Sequence, residues 1–401
     1  MLEMEVDALI LLSPESFSYA TGASPGVATM WRRAGAVGVM VPADAGVPEA
    51  AVVSDLFAKN FADLSHIEDV RESPIWVETT SLKSVDLEIM PERLIASAWN
   101  DAGRSKDFKR PTTFDPMVCF GHLADAISER NLIKGRIGFE ASAVSVRDYG
   151  NLKKAFGEVE LVDASDIVAK LKMVKSTSEI ENLRQAVGIA EYGIRAICGE
   201  IAAGVTRNEL ATVWNKAIHA HPDHHRLSGS WEYISVGPDP WGGNAAARSG
   251  DLVKVDVGCL VEGYTSDSAR TFVLGPPNSV QKRVYDALMR GFDAGSALLR
   301  PGIALSEVYH VTLDAIRDAG FPGYARGHFG HGLGAGLGSE EWPFISADAE
   351  VDFEPGMVMA FECPWYIDGL GGMIIENQLL ITETGHEMMN SLPIDLVEIA
   401  L

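Results

Sequence analysis

Four acidic residues interrupt apolar, strand-like segments in the second half of the chain, and this pattern constrains the fold more than any other feature. The segments are 252–258 with Asp256, 264–272 with Asp267, 357–363 with Glu362, and 371–381 with Glu376. A carboxylate within an apolar strand is costly to bury unless it is paired or coordinated. The pattern therefore predicts either an exposed sheet face or a centre that binds cations.

The first two of these segments read as a β-hairpin. Residues 252–258 alternate, with valines on one face and Lys254 and Asp256 on the other. A turn near residues 261–263 leads into the return segment, so we expect Asp256 to lie roughly opposite Asp267, with Cβ atoms about 5 Å apart. Two facing carboxylates repel each other, unless both are solvated, one is protonated or a cation lies between them. Metal binding is thus one of three interpretations of this pair.

His331 adds a nitrogen donor to the four carboxylates. It lies in the glycine-rich segment 327–334, where little else can crowd its imidazole. Hard carboxylate oxygens with one imidazole suit two adjacent divalent cations of the Mn²⁺, Co²⁺, Fe²⁺ or Zn²⁺ kind. Two such ions can activate a water molecule and polarise a carbonyl group.

The first 160 residues predict an alternation of short strands and helices. Strands are expected at 8–12, 38–42, 51–54, 75–79 and 135–139, and helices near 91–101, 117–130 and up to 156. We find no catalytic cluster in this part. It is therefore expected to be an α/β domain, spanning residues 1–165.

The second part, residues 166–401, begins with two amphipathic helices. Apolar residues at spacings of three and four run from Ile180 to Ile201, and Ser178 with Glu181 forms a candidate capping box. Thr206 and Glu209 open the next helix, which runs to about residue 220. A later helix is expected at 306–319, with Ser306 as its cap. Helices followed by a strand-rich half predict an α+β domain in which helices pack over an antiparallel sheet.

Composition excludes several functions. The chain has 33 basic and 56 acidic side chains, a net charge of −23, which disfavours nucleic acid and anionic membranes as partners. No apolar run approaches the length of a membrane span, and the first one does not resemble a signal peptide. Four scattered cysteines are typical of reduced thiols. We therefore expect a cytoplasmic protein.

The order of the five donor residues resembles a known family. The stretches GDLVKVDVG, SDSARTF, GHGLG, EPGMVMAFE and IIENQLLIT are similar to those of the pita-bread metallopeptidases. That family includes Xaa-Pro dipeptidases, aminopeptidase P, methionine aminopeptidases and creatinase. The resemblance covers about residues 170–384. It implies a C-terminal pita-bread domain, with helices over a curved antiparallel sheet, and an N-terminal creatinase-like domain.

The resemblance also implies roles for the donors. Asp256 would chelate one metal ion, Asp267 and Glu376 would bridge two ions, and His331 with Glu362 would hold the other. In family members that cleave peptides, the carboxylate matching Glu362 also handles the proton of the attacking water. The resemblance therefore implies two divalent cations. It also implies a homodimer, because dimers are usual in this family.

The chain departs from the family around these ligands. Family peptidases usually carry two more histidines near the metals. One lies in a Pro-His segment, and here residues 236–244 place Trp241 or a neighbour there. The other falls on Gly338 when counted from His331, or on Glu340 when aligned from Pro343. Many members also have an arginine where this chain has Ile374. The metal site is thus expected to be intact and the substrate site to be altered.

Other residues are candidates for the missing contacts. His328, in the same glycine-rich segment as His331, faces either substrate or solvent. One histidine of the segment 219–225 either replaces a missing histidine, belongs to a separate zinc site or is exposed. Arg32 or Arg33 would bind a substrate carboxylate across a dimer, as in creatinase-like proteins, or is an ordinary surface charge.

These features predict a dinuclear-metal hydrolase. Its substrate would be a small dipeptide-like molecule of the Xaa-Pro type or an amide, cleaved at a C–N bond. One alternative is a specialised non-peptidase, a lyase or hydrolase of a small zwitterion such as dimethylsulfoniopropionate or a creatine-like compound. A second alternative is a non-catalytic binding member of the family.

Overall fold

The computed structural model describes residues 1, 5–26, 28–31, 33–82, 90–241, 243–336 and 340–401. Contacts divide the chain into two compact units, Met1–Val168 and Ala169–Leu401. None of the helices within the described ranges is long and apolar enough to cross a membrane. All four cysteines are free thiols.

The first unit contains a mixed sheet. Its described strands are β1 (Ala8–Leu11), β2 (Gly38–Pro42), β3 (Ala50–Ser54), β4 (Asp69–Ser73), β5 (Arg136–Phe139) and β6 (Glu160–Asp163). Their order in the sheet is β4-β3-β2-β1-β5-β6. The β1–β2 and β2–β3 pairs are antiparallel and the others are parallel. Strands fully buried on both faces, such as β1 and β3, need helices on both sides.

Helices cover this sheet. They are α1 (Pro14–Thr21), α2 (Ala28–Trp31), α3 (Ala58–Leu64), α4 (Pro91–Asp101), α5 (Pro116–Glu129), α6 (Val146–Phe156) and α7 (Ser165–Met173), the last of which runs across the boundary between the units. Two apolar clusters fill the core of this unit, one including Phe17 and Phe61 and the other Phe120 and Leu152. The predicted α/β class is confirmed.

One predicted strand of this unit is wrong. The pattern at 75–79 is not a strand, because the pairing with β3 is made by the preceding segment β4. Ile75 is buried and forms only an isolated bridge with Phe114. Its apolar side chain fills the core from an irregular segment, which an apolar run by itself does not distinguish from a strand.

The second unit is built on a large, mainly antiparallel sheet. Its described strands are β7 (Leu227–Glu232), β8 (Ser235–Val236), β9 (Leu252–Val261), β10 (Tyr264–Thr265), β11 (Ser268–Leu274), β12 (His328–Gly332), β13 (Glu341–Ser346), β14 (Val358–Ile367), β15 (Gly371–Ile381), β16 (His386–Met388) and β17 (Val397–Ile399). The main order is β10-β9-β11-β15-β14-β12-β13. β7 and β8 pair with β9, β16 pairs with β15, and β17 pairs with β11.

Two helix pairs pack on one face of this sheet. The helices are α8 (Thr177–Glu200), α9 (Arg207–Ala220), α10 (Ser279–Ser296) and α11 (Leu305–Asp318). Val253, Val255 and Val257 of β9 share an apolar cluster with α8 and α9, while Phe361 and Ile375 share one with α10 and α11. Since side chains alternate along a strand, Asp256, Glu362 and Glu376 lie on the opposite face. The predicted α+β class, with helices over an antiparallel sheet, is confirmed.

Two predicted helix caps are wrong, and one is confirmed. The capping box of α8 is formed by Ser176 and Glu179, because Ser176 has the extended backbone of a cap and Ser178 already lies within the helix. Ser306 does not cap α11, which begins at Leu305; the Leu305 N–H donates to the Val351 carbonyl, so no side chain is needed there. The capping box of Thr206 with Glu209 is present as expected.

Candidate metal centre

A row of facing residues crosses four strands on the face opposite the helices. Asp256 on β9 is paired with Ala269 on β11, Ala269 with Glu376 on β15, and Glu376 with Glu362 on β14. Directly paired residues of antiparallel strands point to the same face. Strand register therefore gathers three of the four predicted acidic ligands along one line.

The predicted pairing of Asp256 with Asp267 is wrong by two residues. Asp267 lies immediately before β11, two positions ahead of Ala269, which is the true partner of Asp256. The turn accounts for the difference, because the strands close with Val261 opposite Tyr264, around a two-residue turn at Glu262 and Gly263. The turn centre lies one residue later than expected, and this shifts the pairing by two residues. Asp267 is therefore a diagonal neighbour of Asp256 on the same face of the hairpin.

His331 comes to the same face from β12. It is paired with Ala360 of β14, two positions from Glu362, so their side chains share a face. The preceding Gly330 has φ +152, and a Cβ built there would lie 2.1 Å from the Ala360 carbonyl oxygen. Glycine thus permits the close approach of β12 to β14 that presents His331.

Three of the predicted ligands converge closely enough to share a metal ion. Donor atoms of Asp267, His331 and Glu376 all lie within 4.8 Å of one another, and all three residues are buried. His331 Nε2 lies 3.6 Å from Asp267 Oδ2. Within the described part of the chain, Asp267 Oδ1 is buried without a hydrogen-bond partner. An orphaned buried oxygen beside two further donors fits a divalent cation of the kind expected for carboxylates and imidazole.

The electrostatics of this cluster also fit a cation. Burial raises the pKa of Asp267 well above its usual value, and the charges of Asp256 and Glu362 raise it further. Burial likewise raises the pKa of Glu376 well above its usual value, followed by the charge of Asp267. Both carboxylates are thus costly to ionise by themselves, and a bound cation would offset that cost.

Lys254, which sequence reasoning did not assign to the site, lies among these acids. Its ammonium lies 3.2 Å from Asp256 Oδ2 and 3.4 Å from the centre of the Tyr233 ring. The side chain is completely buried. Burial lowers the pKa of Lys254 and the Asp256 carboxylate opposes that change. The alternating pattern of residues 252–258 already placed both side chains on one face, so this pair was open to prediction.

Arg326 is a second cation that the sequence patterns missed. Its Nη2 lies 2.6 Å from Glu362 Oε1, and its Nε donates to the His328 carbonyl. It precedes β12 in an irregular segment, where no periodicity indicates which way a side chain points. The chain therefore supplies one internal cation to each of two predicted metal ligands, Asp256 and Glu362.

His328 and Glu340 lie beside this centre. The His328 ring centre is 6.1 Å from that of His331, and its Nδ1 is 3.9 Å from Glu362 Oε1. Its Nε2 is 3.9 Å from Glu340 Oε2, and Glu340 is half exposed. Burial lowers the pKa of His328, and the nearby Arg326 lowers it further. His328 is thus half-buried next to the ligands, and Gly338 lies outside the described residues.

The remaining residues that the sequence suggested are a tryptophan, two arginines and the histidines of segment 219–225. Trp241 is 62% exposed, and its backbone N–H donates to Asp239 Oδ1. Arg33, in the first unit, forms a double hydrogen bond with Asp148, and Arg32 lies outside the described residues. The histidines of segment 219–225 are largely exposed, and no metal-binding group includes them within the described ranges.

Arg270 supports the backbone that carries Glu376. This buried guanidinium donates to the Glu376 carbonyl at 2.6 Å and to Asn377 Oδ1 at 2.8 Å. Glu191 of α8 lies 3.9 Å from it and accepts from the Ser391 and Leu392 N–H groups. One buried charge pair thereby connects α8, β11 and β15 below the ligands.

Comparisons with known families match both parts of the chain. Residues 181–383 match the family described as Metallopeptidase family M24, and residues 99–174 match the Creatinase/Prolidase N-terminal domain. An uncharacterized peptidase of Bacillus subtilis, YqhT, is 31% identical over 270 residues, which are 65% of this chain and 74% of that protein. An Xaa-Pro dipeptidase of Pyrococcus horikoshii is 31% identical over 254 residues, 61% of this chain and 70% of the relative.

Solved structures resemble the whole chain. The prolidase from Pyrococcus horikoshii matches with a TM-score of 0.75 and 23% identity, covering 99% of this chain and 97% of that one. An Xaa-Pro dipeptidase from Bacillus anthracis matches with a TM-score of 0.77 and 21% identity, covering 99% and 96%. At these identities the likeness concerns the fold.

Proposed function

Because this chain belongs to metallopeptidase family M24, we propose that it is a dinuclear-metal hydrolase that cleaves the C–N bond of a small dipeptide-like substrate of the Xaa-Pro type, or of an amide. The predicted family resemblance, the pita-bread fold and hydrolytic metalloenzyme character are established by the family match and the relatives. The number of ions and the substrate are the proposed part.

The convergence of Asp267, His331 and Glu376 is the observation that carries this proposal. We assign Asp256, Asp267, His331, Glu362 and Glu376 as ligands of two divalent cations, Mn²⁺, Co²⁺, Fe²⁺ or Zn²⁺. Cations held there would polarise a carbonyl group and activate a water molecule.

The chain's own residues would manage the proton. Glu362 would accept the proton of the water that attacks the carbonyl carbon and pass it to the leaving nitrogen as the C–N bond breaks. Arg326, 2.6 Å from Glu362, would hold that carboxylate in place. His328 lies on the side of Glu362 away from Glu376, next to Glu340, where it would contact substrate.

A panel of Xaa-Pro dipeptides and simple amides tests this function. Protein stripped with chelator and reloaded with Mn²⁺ or Co²⁺ should release free amino acid from at least one dipeptide, and E362Q should abolish that release. A metal-loaded, folded protein with no activity on any Xaa-Pro dipeptide would contradict the peptidase assignment.

One observation favours a second candidate, a lyase or hydrolase of a small zwitterion. Glu340, an acid, lies 3.9 Å from His328 in the segment where family peptidases have a second histidine. An acidic side chain there would favour a cationic group on the substrate. Turnover of a betaine- or guanidino-type compound, without dipeptide cleavage, would support this candidate.

The remaining assignments follow from composition and family membership. We propose that the protein is cytoplasmic, in keeping with its four free cysteines, and that it works as a homodimer. Its acidity, a net charge of −23, favours small-molecule partners over nucleic acid or anionic membranes. Trp241, Arg32 and Arg33 are kept as candidate substrate contacts; for Arg33 this requires exchange of its Asp148 partner.

A further inference from the structure

We propose that a cavity on the helix-covered side of the large sheet binds a small apolar carboxylate, whose charged end is held by Arg270. The cavity has a volume of about 190 Å³ and lies between α8, β11 and the segment that leads into β17. All of its walls belong to the second unit. It lies apart from the metal centre, so a ligand there does not depend on the reaction proposed for that centre.

The cavity and the predicted metal ligands lie on opposite faces of the sheet. Ala269 of β11 belongs to the row of facing residues that contains Asp256 and Glu376. Arg270 follows it in the strand and therefore points to the other face. Phe272, on the same face as Arg270, packs in the apolar cluster of α8 and α9. A ligand in the cavity would thus lie behind the metal centre and would not be its substrate.

Most of the cavity wall is apolar. Phe272 of β11 is paired with Val397 of β17, so these two side chains line the cavity from the same face of the sheet. An apolar cavity of about 150 Å³ takes up benzene, so this wall suits an aliphatic or aromatic group of about that size. The apolar or weakly polar residues that line it are Ile194, Cys198, Phe272, Leu392, Pro393 and Val397.

Arg270 adds a charged donor to this apolar wall. The residue is only 2% exposed, and its Nη1 and Nη2 donate to the carbonyl oxygens of Ala269, Glu376 and Leu392 and to Oδ1 of Asn377. Within the part of the chain that the structure describes, its Nε is buried without a hydrogen-bond partner. A guanidinium stays charged in proteins, and a buried donor without a partner costs free energy. An oxygen of a bound carboxylate would satisfy it with a charge-assisted hydrogen bond.

The nearest acid of this region is engaged elsewhere. Glu191 Oε1 lies 3.9 Å from Arg270 Nη2, beyond hydrogen-bond distance, and accepts from the backbone N–H groups of Ser391 and Leu392. Its Oε2 accepts from the Ser391 hydroxyl. Arg195, whose side chain is half exposed, is a second cation in the cavity wall. The described lining therefore holds two guanidinium groups and no acid, which favours an anion over a cation.

Protection of Cys198 tests the proposal on the full chain. This thiol lines the cavity and is half-buried, whereas the other three cysteines are buried, so iodoacetamide should alkylate Cys198 first, as peptide mass mapping would show. Benzoate at ten times its dissociation constant should slow that alkylation about tenfold, because only the empty cavity exposes the thiol. Benzyl alcohol lacks the charge and acetate lacks the ring. Each should need an at least about tenfold higher concentration for the same protection.

Calorimetric titration of variants with benzoate makes the test independent of the reactivity of the thiol. C198S keeps the cavity open and should bind benzoate as the wild type does, whereas C198F fills the cavity and should abolish binding. R270K keeps a positive charge but lacks Nε, and it should weaken binding at least about tenfold. C198F and R270K act on different parts of the site, so either one decides if the other does not fold.

Four results would overturn the proposal. One is benzoate binding that is no tighter than that of benzyl alcohol, and another is wild-type affinity in folded R270K. Binding that persists in folded C198F would place benzoate at another site, such as the metal centre. Absence of benzoate binding in both the wild type and C198S would show that the cavity holds water only.

Discussion

The Arg326 guanidinium lies 2.6 Å from the Glu362 carboxylate, on the face of the sheet opposite the helices. Glu362 is only 7% exposed, so this pair lies largely out of water. A charge-assisted bond of this kind holds a carboxylate in one orientation. The residue proposed to take the proton of water is thereby held in place.

Replacing Arg326 should therefore damage catalysis more than metal binding. R326M leaves Glu362 without its cation, and we expect kcat to fall about a hundredfold, the lower range of a general-base contribution. The Mn²⁺ content should stay at one ion per chain or more, because the converging donors are intact. R326K should recover part of kcat. Steady-state kinetics and metal analysis on the same samples check this, and an unchanged kcat would remove Arg326 from the mechanism.

The sequence predicts the face on which a strand residue lies better than it predicts the pairing between strands. Alternation within residues 252–258 correctly separated the valines that pack on the helices from Lys254 and Asp256 on the other face. The alternation of side chains, however, predicts only which face of the sheet a residue lies on. It does not predict which residue of the next strand is its partner. A turn that differs from expectation shifts the pairing, and for this reason Asp256 faces Ala269 and not Asp267.

Residues outside periodic segments were the least predictable. Arg326 precedes β12 in irregular backbone, so only the folded chain shows that it reaches Glu362. The predicted cap of α11 is wrong for a related reason. The N–H of Leu305, the first residue of this helix, donates to the Val351 carbonyl, a contact between segments distant in sequence. Local propensity carries no information about such contacts.

Asp267 should destabilise the metal-free protein and be required for stabilisation by metal. Its pKa is raised well above the usual value by burial and by Asp256, so the folded state binds this proton more tightly than the unfolded state does. Metal-free stability should accordingly fall as the pH rises through this pKa. D267N removes that cost, and we expect its metal-free melting temperature at pH 7 to exceed that of the wild type.

Added Mn²⁺ separates the cost of burying Asp267 from the role of Asp267 in metal binding. It should raise the melting temperature of the wild type by mass action and leave D267N unchanged. Thermal melts with chelator and with Mn²⁺, at pH 5, pH 7 and pH 8, provide all the comparisons. A metal-free D267N protein that is less stable than the wild type at both pH values would contradict the assignment.

Gly330 should be intolerant of a side chain. Its φ is +152, and an added Cβ would lie 2.1 Å from the Ala360 carbonyl, within the β12–β14 pairing that presents His331. G330A should therefore lower the free energy of unfolding by about 2 kcal/mol or more and weaken Mn²⁺ binding. G327A is the matched control, because a Cβ there meets nothing within 4 Å. Similar unfolding curves for the two variants would show that the close approach carries no constraint.

Lys175 should make the stability of the protein rise with pH above neutrality. Burial lowers the pKa of this lysine to about 8, against an ordinary value of 10.5, although the Glu341 charge opposes the change. Below pH 8 the ammonium is present in both states, and burying it costs free energy. Between pH 8 and pH 10.5 the unfolded chain binds more protons than the folded chain, so stability rises with pH in this window.

K175M lacks the titrating group, and it should be more stable than the wild type at pH 7 by up to about 3 kcal/mol. Denaturant unfolding at pH 7 and pH 10 should show that advantage shrinking at the higher pH, while K170M, at an exposed lysine, should follow the wild type at both. A gap between K175M and the wild type that stays constant with pH would mean that Lys175 keeps an ordinary pKa in the folded chain.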